Sequence, residues 1–290
     1  MRKALMMNQK RNLPLQIPIH LFLMFIALTM IVPFYWMIAT ALKPQSEILA
    51  IPPILYPLQP TFDNFVKVFA VTGIDGTRLI GSGFLNSLTI ATSATFGTLF
   101  TSSLAAYAFA KVRFKFHNLF FIALLSLMMI PNQITLIPLY IVFARMGWVD
   151  TLLPMIIPVV MLNPFGVFLL RQYILGIPDA YGESAKLDGA NHFQIYSRII
   201  LPLCKPALIS LGLLTFIGRW NDFLGPLIYI STETRWPLPL IINSFRGRFT
   251  TEWGVLMAAA TMAVIPILII YLIAQKTLIE GIATTSGLKG

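Results

Sequence analysis

From Ile17 to Ala41 the chain carries no Asp, Glu, Lys or Arg, and comparable apolar runs return at about 84–110, 118–143, 152–174, 206–229 and 254–274. A helix needs ~20 apolar residues to cross the hydrocarbon core of a bilayer. Within that core every backbone polar group must be paired inside the spanning structure. Long continuous runs, as opposed to short alternating ones, meet this demand as helices and not as a barrel. Composition agrees: 57% of residues are hydrophobic and 11% are charged, against about 25% charged in a soluble domain. The reading is an all-α polytopic membrane protein, one transmembrane domain over 1–290 with six transmembrane helices. The first run exceeds the ~7–15-residue core of a signal peptide and reads as an uncleaved span.

The net charge of +10 is unevenly placed. One set of loops carries Arg2, Lys3, Lys10, Arg11, Lys111, Arg113, Lys115, Arg171, Lys186, Arg198, Lys205, Lys276 and Lys289; the alternate set carries Lys43, Lys67, Arg78, Arg145, Arg235, Arg246 and Arg248. The excess puts both termini and the loop near residue 190 in the cytoplasm. It accounts for the basic balance by anionic membrane lipid, with no nucleic acid partner. A single cysteine, Cys204, excludes an internal disulfide. His20, His117 and His192 lie far apart, so no metal site is expected. Asp150 and Glu252 read as solvated loop residues, and no grouping of nucleophile and acid marks an enzyme. Ser87, Ala91, Ala94, Gly97 and Ser102 in the second run suit close helix packing or substrate contact. Pro131, Asn132, Gln133 and Pro138 in the third fit either a broken helix or interhelical hydrogen bonding. The fifth run holds the charged pair Arg219 and Asp222 beside Trp220 and Asn221.

Between the fourth and fifth runs lies the polar stretch Pro178–Pro202. Asp179 is placed to cap a helix over about Ala180–Leu187, and Gly189 to end it in the left-handed region. Asn191 with Gln194 spells a capping box for a second helix, whose apolar stripe is Phe193, Tyr196 and Ile200, flanked by Ile195 and Ile199. Caps and stripes of this kind suit a docking device or an ordinary connecting loop, and the pattern alone leaves both open.

Glu183-Ser184-Ala185, then Gly189, then Ile199-x-Leu201-Pro202 resembles the EAA coupling loop of bacterial ABC importer permeases, with Ser184 replacing the first alanine. Asn86-Ser87, Ala105–Ala110, Trp220-Asn221-Asp222-Phe223 and the tail Gly287-Leu288-Lys289-Gly290 extend the likeness to the carbohydrate branch, nearest the maltose-type second permease subunit. The resemblance implies a second permease, two ATPase subunits and an extracytoplasmic solute-binding protein as partners, with a sugar as substrate in the cytoplasmic (inner) membrane. It implies no cofactor in this chain, ATP and Mg being held by the partner ATPase. It assigns ATPase coupling to Glu183, Ser184, Ala185, Asp188, Gly189, Ala190, Leu201 and Pro202. Glu183 would pair with a basic ATPase residue, Gly189 would give the bend and Ala185 the close contact. Gly287, Leu288, Lys289 and Gly290 would reach the ATPase pair, and the 231–253 loop, with Arg235, Trp236, Arg246 and Arg248, would meet the binding protein. Trp220, Asn221 and Asp222 would line the sugar path, or serve packing as an Arg219–Asp222 pair with Trp220 at a helix interface.

No Gly-x-x-x-x-Gly-Lys-[Ser/Thr] loop is present, so the chain does not bind ATP in that way and an importer needs a separate ATPase. The competing reading, an ion-coupled secondary transporter, calls for intramembrane carboxylates or repeated broken helices. Asp222, close to Arg219, is the one candidate carboxylate.

Overall fold

The computed structural model describes residues 13–246 and 252–287 and has no strand among them. They divide into two compact units, one built from 13–68 and the described part of 245–262, the other from 69–244 and 263–287.

The smaller unit begins with α1 (Leu13–Ala41), whose window Gln16–Ala41 is 0% buried within this chain. A helix end leaves its last carbonyls unpaired. Here Asn64, at the start of α3 (Asp63–Ala70, after the short α2, Gln45–Ile48), donates from Nδ2 to the carbonyls of Ala41 at 2.9 Å and Lys43 at 2.8 Å. Gly254 packs so close that a Cβ there would lie 2.5 Å from Asn64 Oδ1. Lys43 is 1% exposed; its ammonium donates to the Ile54 carbonyl and sits 4.5 Å over the Trp36 ring. Glu47 accepts from the amides of Leu58 and Gln59 at 2.9 and 3.0 Å, which fixes the proline-rich loop.

The larger unit is organised on α4 (Leu79–Lys111), 33 residues long. Around it come α5 (His117–Ser126), α6 (Asn132–Arg145), α7 (Leu153–Met161), α8 (Pro164–Leu175), α9 (Ala180–Leu187), α10 (His192–Leu203), α11 (Lys205–Trp220), α12 (Leu224–Tyr229), α13 (Leu238–Ser244) and the later part of α14 (Trp253–Gly287). Among the described residues, Gln16–Ala41, Leu153–Leu175 and Trp253–Thr277 are long and apolar enough to cross a membrane individually. α4 is not in that set, because serine, threonine and glycine dilute its hydropathy. Those same residues let neighbours approach: Ser87, Thr98, Ser102 and Ser103 are all buried.

Three of the apolar runs are not continuous helices. The third is broken, with His117–Met129 and Gln133–Arg145 meeting at 103°. Pro131 has no N–H to continue a helix, and it drives Ile130 to an extended ψ of 115°. The fourth is interrupted at Leu162 and Asn163, ahead of Pro164. The fifth, 206–229, is helical without a break only to Trp220; after a turn, α12 continues the run to Tyr229. The bend that does form there, 76°, lies between α10 and α11.

At the N-terminal end of α4, the segment 231–238 is bonded along nearly its whole length. Asp150 Oδ1 accepts from the amides of Ser231 and Thr232 at 3.0 and 2.8 Å. Its Oδ2 accepts from the Thr232 hydroxyl at 2.7 Å and from Arg235 at 3.0 Å. Glu233 accepts from the Ile74 amide at 3.0 Å. Asn86 donates to the carbonyls of Thr234 and Trp236 at 3.0 and 3.1 Å, and Leu238 N–H donates to Ser87 Oγ at 2.8 Å. Asp150, expected to be solvated, is thus the anchor of this segment.

Candidate coupling site

α9 spans Ala180–Leu187, as its sequence predicts. Its C-terminus closes with Gly189 N–H donating to Lys186 O at 3.0 Å and Ala190 N–H to Ala185 O at 2.9 Å. That double closure is a Schellman motif, and it needs the left-handed residue that Gly189 provides at φ 83°. The capping box also forms: Gln194 N–H donates to Asn191 Oδ1 at 2.9 Å, and Asn191 N–H to Gln194 Oε1 at 2.8 Å.

Two expectations for this loop fail. Asp179 does not cap α9; its carboxylate accepts from Lys111 Nζ at 2.6 Å. That hydrogen bond and the Lys111 charge, with Arg113 and Lys186 adding to them, hold the Asp179 carboxyl below its ordinary range. Phe193 does not share the apolar stripe: it is 68% exposed, while Ile195, Tyr196 and Ile200 are buried. A wide π turn over Tyr196–Ile200, in which Leu201 N–H reaches back to Tyr196 O, rotates Ile200 toward the side of Ile195 and Tyr196 and away from that of Phe193. Pro202 cannot donate to the Arg198 carbonyl and its ring crowds that position, so the turn before it opens. The Ile-x-Leu-Pro signature therefore sets the rotation of α10 as well as its end.

The loop is held to one stripe of α4. Ser103, Tyr107 and Lys111 are spaced four apart and so line one helix face. Ser103 Oγ lies 2.7 Å from Tyr196 Oη, Tyr107 Oη lies 3.1 Å from His192 Nδ1, and Lys111 Nζ reaches Ile177 O at 2.7 Å as well as Asp179. Arg171 on α8 donates from Nε to Phe109 O at 3.1 Å. Sequence reading did not find this ladder, although the four-residue spacing of hydroxyl, phenol and amine was there to be seen.

Glu183 and Ser184 are exposed, and among the described residues the Glu183 carboxylate has no hydrogen-bond or ion-pair partner. Ala185 and Ala190 pack inward, against the buried cluster that contains Ile174, Ile195 and Tyr196. Asp188 and Pro202 are exposed, and Leu201 is half-buried. The outward face of α9 is thus Glu183, Ser184 and Leu187, the last 90% exposed.

The remaining candidates lie elsewhere. Trp220 is 1% exposed, donates from Nε1 to Ala263 O at 3.1 Å and packs on Phe84 and Phe216, so in this conformation no ring face is open to a ligand. Arg219 pairs with Asp222 at 3.2 Å, and Asp222 also accepts from Gly225 N–H at 3.2 Å. Asn221 is exposed and donates to Ile217 O at 3.0 Å. Arg235 is committed to Asp150, Trp236 is half-buried and Arg246 is exposed. Arg248, Leu288, Lys289 and Gly290 lie outside the described residues; Gly287 ends α14.

Taken together, the apolar helices and the capped helix pair on α4 define a multi-span helical membrane protein with a structured polar loop. The chain belongs to the family described as binding-protein-dependent transport system inner membrane component, which it matches over residues 97–283. It is 33% identical to the arabinooligosaccharides transport system permease protein AraQ of Bacillus subtilis (strain 168), over 95% of this chain and 96% of that one. It is 31% identical to the diacetylchitobiose uptake system permease protein DasC of Streptomyces coelicolor, over 90% of this chain and 92% of the relative. Among solved structures, a chain of a bacterial ABC transporter involved in the import of the acidic polysaccharide alginate shares the fold, with TM-score 0.78 and 22% identity over 91% of this chain and 96% of that one.

Proposed function

We propose that this chain is a permease subunit of an ATP-driven importer that carries an oligosaccharide across the cytoplasmic membrane by alternating access. What supports the reading is the whole-length similarity to permeases named for arabinooligosaccharide and diacetylchitobiose uptake. The six spans would be α1, α4, the bent pair α5–α6, α7 with α8, α11 with α12, and α14, with both termini and the α9–α10 loop in the cytoplasm. The partners would be a second permease, two ATPase subunits that hold ATP and Mg, and a solute-binding protein outside that meets the 231–253 loop. The chain itself would be non-catalytic and need no cofactor.

The exposed carboxylate of Glu183 and the exposed Leu187 form the face that would enter a cleft on the ATPase. Closure of the ATPase pair on ATP would then pull the loop, and with it α4 through Ser103, Tyr107 and Lys111. A two-state element biased by a ligand on a partner needs such a fixed attachment. The test is ATP hydrolysis and sugar uptake in the reconstituted transporter. Glu183→Ala and Gly189→Val are expected to weaken ATPase co-purification or to leave hydrolysis running without uptake. Normal coupling in both variants would overturn the role of the loop.

A further inference from the structure

Beside the α9–α10 loop, on the flank of α9 formed by Asp179, Gly182, Glu183 and Lys186 and so bordering the outward face at Glu183, the protein has an open cleft of about 650 Å³. That volume is in the range of small-molecule sites. Its cations come from three separate segments: Lys111 and Arg113 at the end of α4, Arg171 on α8 and Lys186 on α9. Two carboxylates share the lining, Asp179 and Glu183. Asp179 is already neutralised by Lys111 at 2.6 Å, and Glu183 is exposed toward solvent. Arg171 is pre-positioned: its Nε is spent on Phe109 O and its Cζ lies 4.1 Å over the Phe121 ring centroid, which leaves the terminal guanidinium nitrogens without a partner among the described residues. A planar fork held in this way suits bidentate binding of an oxyanion. His117 and His192 add two ring nitrogens to the wall, and Phe109, Leu175 and Ile200 give it apolar surface.

Cytoplasmic loops carry scattered lysine and arginine simply to set topology. Convergence on one concavity is different, because like charges held together repel unless an anion joins them. The Asp179 carboxyl is depressed chiefly by its hydrogen bond to Lys111 and the Lys111 charge, with Arg113 and Lys186 adding smaller contributions. We propose that this cleft binds a phosphate-bearing ligand, its tetrahedral oxyanion held by Arg171, Arg113 and Lys186. The phosphate has two available sources: the headgroup of an anionic phospholipid, for which the apolar wall supplies a path for the chain, or a free phosphate in solution. The inference uses the cytoplasmic orientation proposed above only to name those sources.

The test takes the assembled transporter in nanodiscs of phosphatidylcholine alone or mixed with phosphatidylglycerol, with retained lipid counted by native mass spectrometry. In the phosphatidylcholine discs, inorganic phosphate is titrated and followed by phosphorus NMR line broadening. The double variant Arg113→Gln, Lys186→Gln changes two exposed side chains that make no hydrogen bond among the described residues, so folding is expected to survive; thermal unfolding of the same sample checks it. Retained phosphatidylglycerol assigns the lipid source, and saturable phosphate broadening assigns the soluble one. In either case affinity should fall about fivefold for each cation removed and weaken with added salt. If neither probe binds above the control, or the variant binds as tightly as the wild type, the proposal is overturned. Binding is read without transport, so a failure here and a failure of the importer reading are separate results.

Discussion

Asp150 sits in the left-handed region at φ 63°, where a non-glycine residue is tolerated chiefly when side-chain hydrogen bonds fix it. Partial burial acts to raise its carboxyl, but the Thr232 hydroxyl and amide, the Ser231 amide and the Arg235 charge outweigh it and hold the group below the usual carboxylate range. A carboxyl depressed in the folded state contributes stability above its unfolded pKa of about 3.9, and that stability is lost as pH falls through the folded value. Asp150→Ala should therefore cost about 1–2 kcal/mol at neutral pH, read as a lower Tm in detergent. Asp150→Asn should flatten the pH dependence of Tm below about pH 4. A variant with an unchanged Tm and pH profile would show that the clamp adds nothing. The sequence could not reveal this residue's role, since its partners lie 81 to 85 positions away. Gly189 was legible for the opposite reason: a helix stop is local chemistry, and so was the Asn191 box. Phe193 misled because a period of 3.6 was assumed through a turn that Pro202 widens.

Among the elements, the break between α7 and α8 shows how a proline-rich span is repaired. Pro164 cannot donate to the Val160 carbonyl, and the break at Asn163 frees that of Val159. Thr101 Oγ1 on α4 donates to Val160 O at 2.6 Å, and Thr98 Oγ1 donates to Val159 O at 3.2 Å. Gly97 permits the approach, because a Cβ there would lie 2.4 Å from Val160 Cγ2. Interhelical bonds of this kind are worth about 0.6–2 kcal/mol each in a membrane. Thr98→Val with Thr101→Val is expected to lose that much for each bond, and Gly97→Val about 1–3 kcal/mol through overpacking. Thermal unfolding of the reconstituted subunit would check both, and an unaltered midpoint in the threonine double variant would refute the repair. The apolar runs made helices visible, but not where the helices break. Hydropathy averages over a window, whereas a break depends on one missing N–H, as at Pro131 and Pro164. Of the two uses the sequence left open for the small residues of α4, their burial fits packing, and the hydroxyls of Thr98 and Thr101 also serve as the donors that the prolines require.

At the scale of the whole molecule, the family and its multi-span helical character were legible from the loop spacing and the apolar runs; the attachment of that loop was not. As an importer subunit the chain should support no sugar accumulation in cells that lack the partner ATPase, even with a full ion gradient. Accumulation that persisted without the ATPase and collapsed with an ionophore would favour the ion-coupled reading instead. The attachment has a mechanical consequence. α4 carries the α9–α10 loop at its last three turns, through Ser103, Tyr107 and Lys111, and the 231–238 segment nearer its start, through Asn86 and Ser87. No proline interrupts it. A 33-residue helix is ~50 Å long, so pivoting one end by about 10° carries the other through roughly 9 Å. In the proposed importer α4 would act as a lever arm: a small tilt set at one membrane face would reach the opposite face as a large stroke, with no relay of side chains in between.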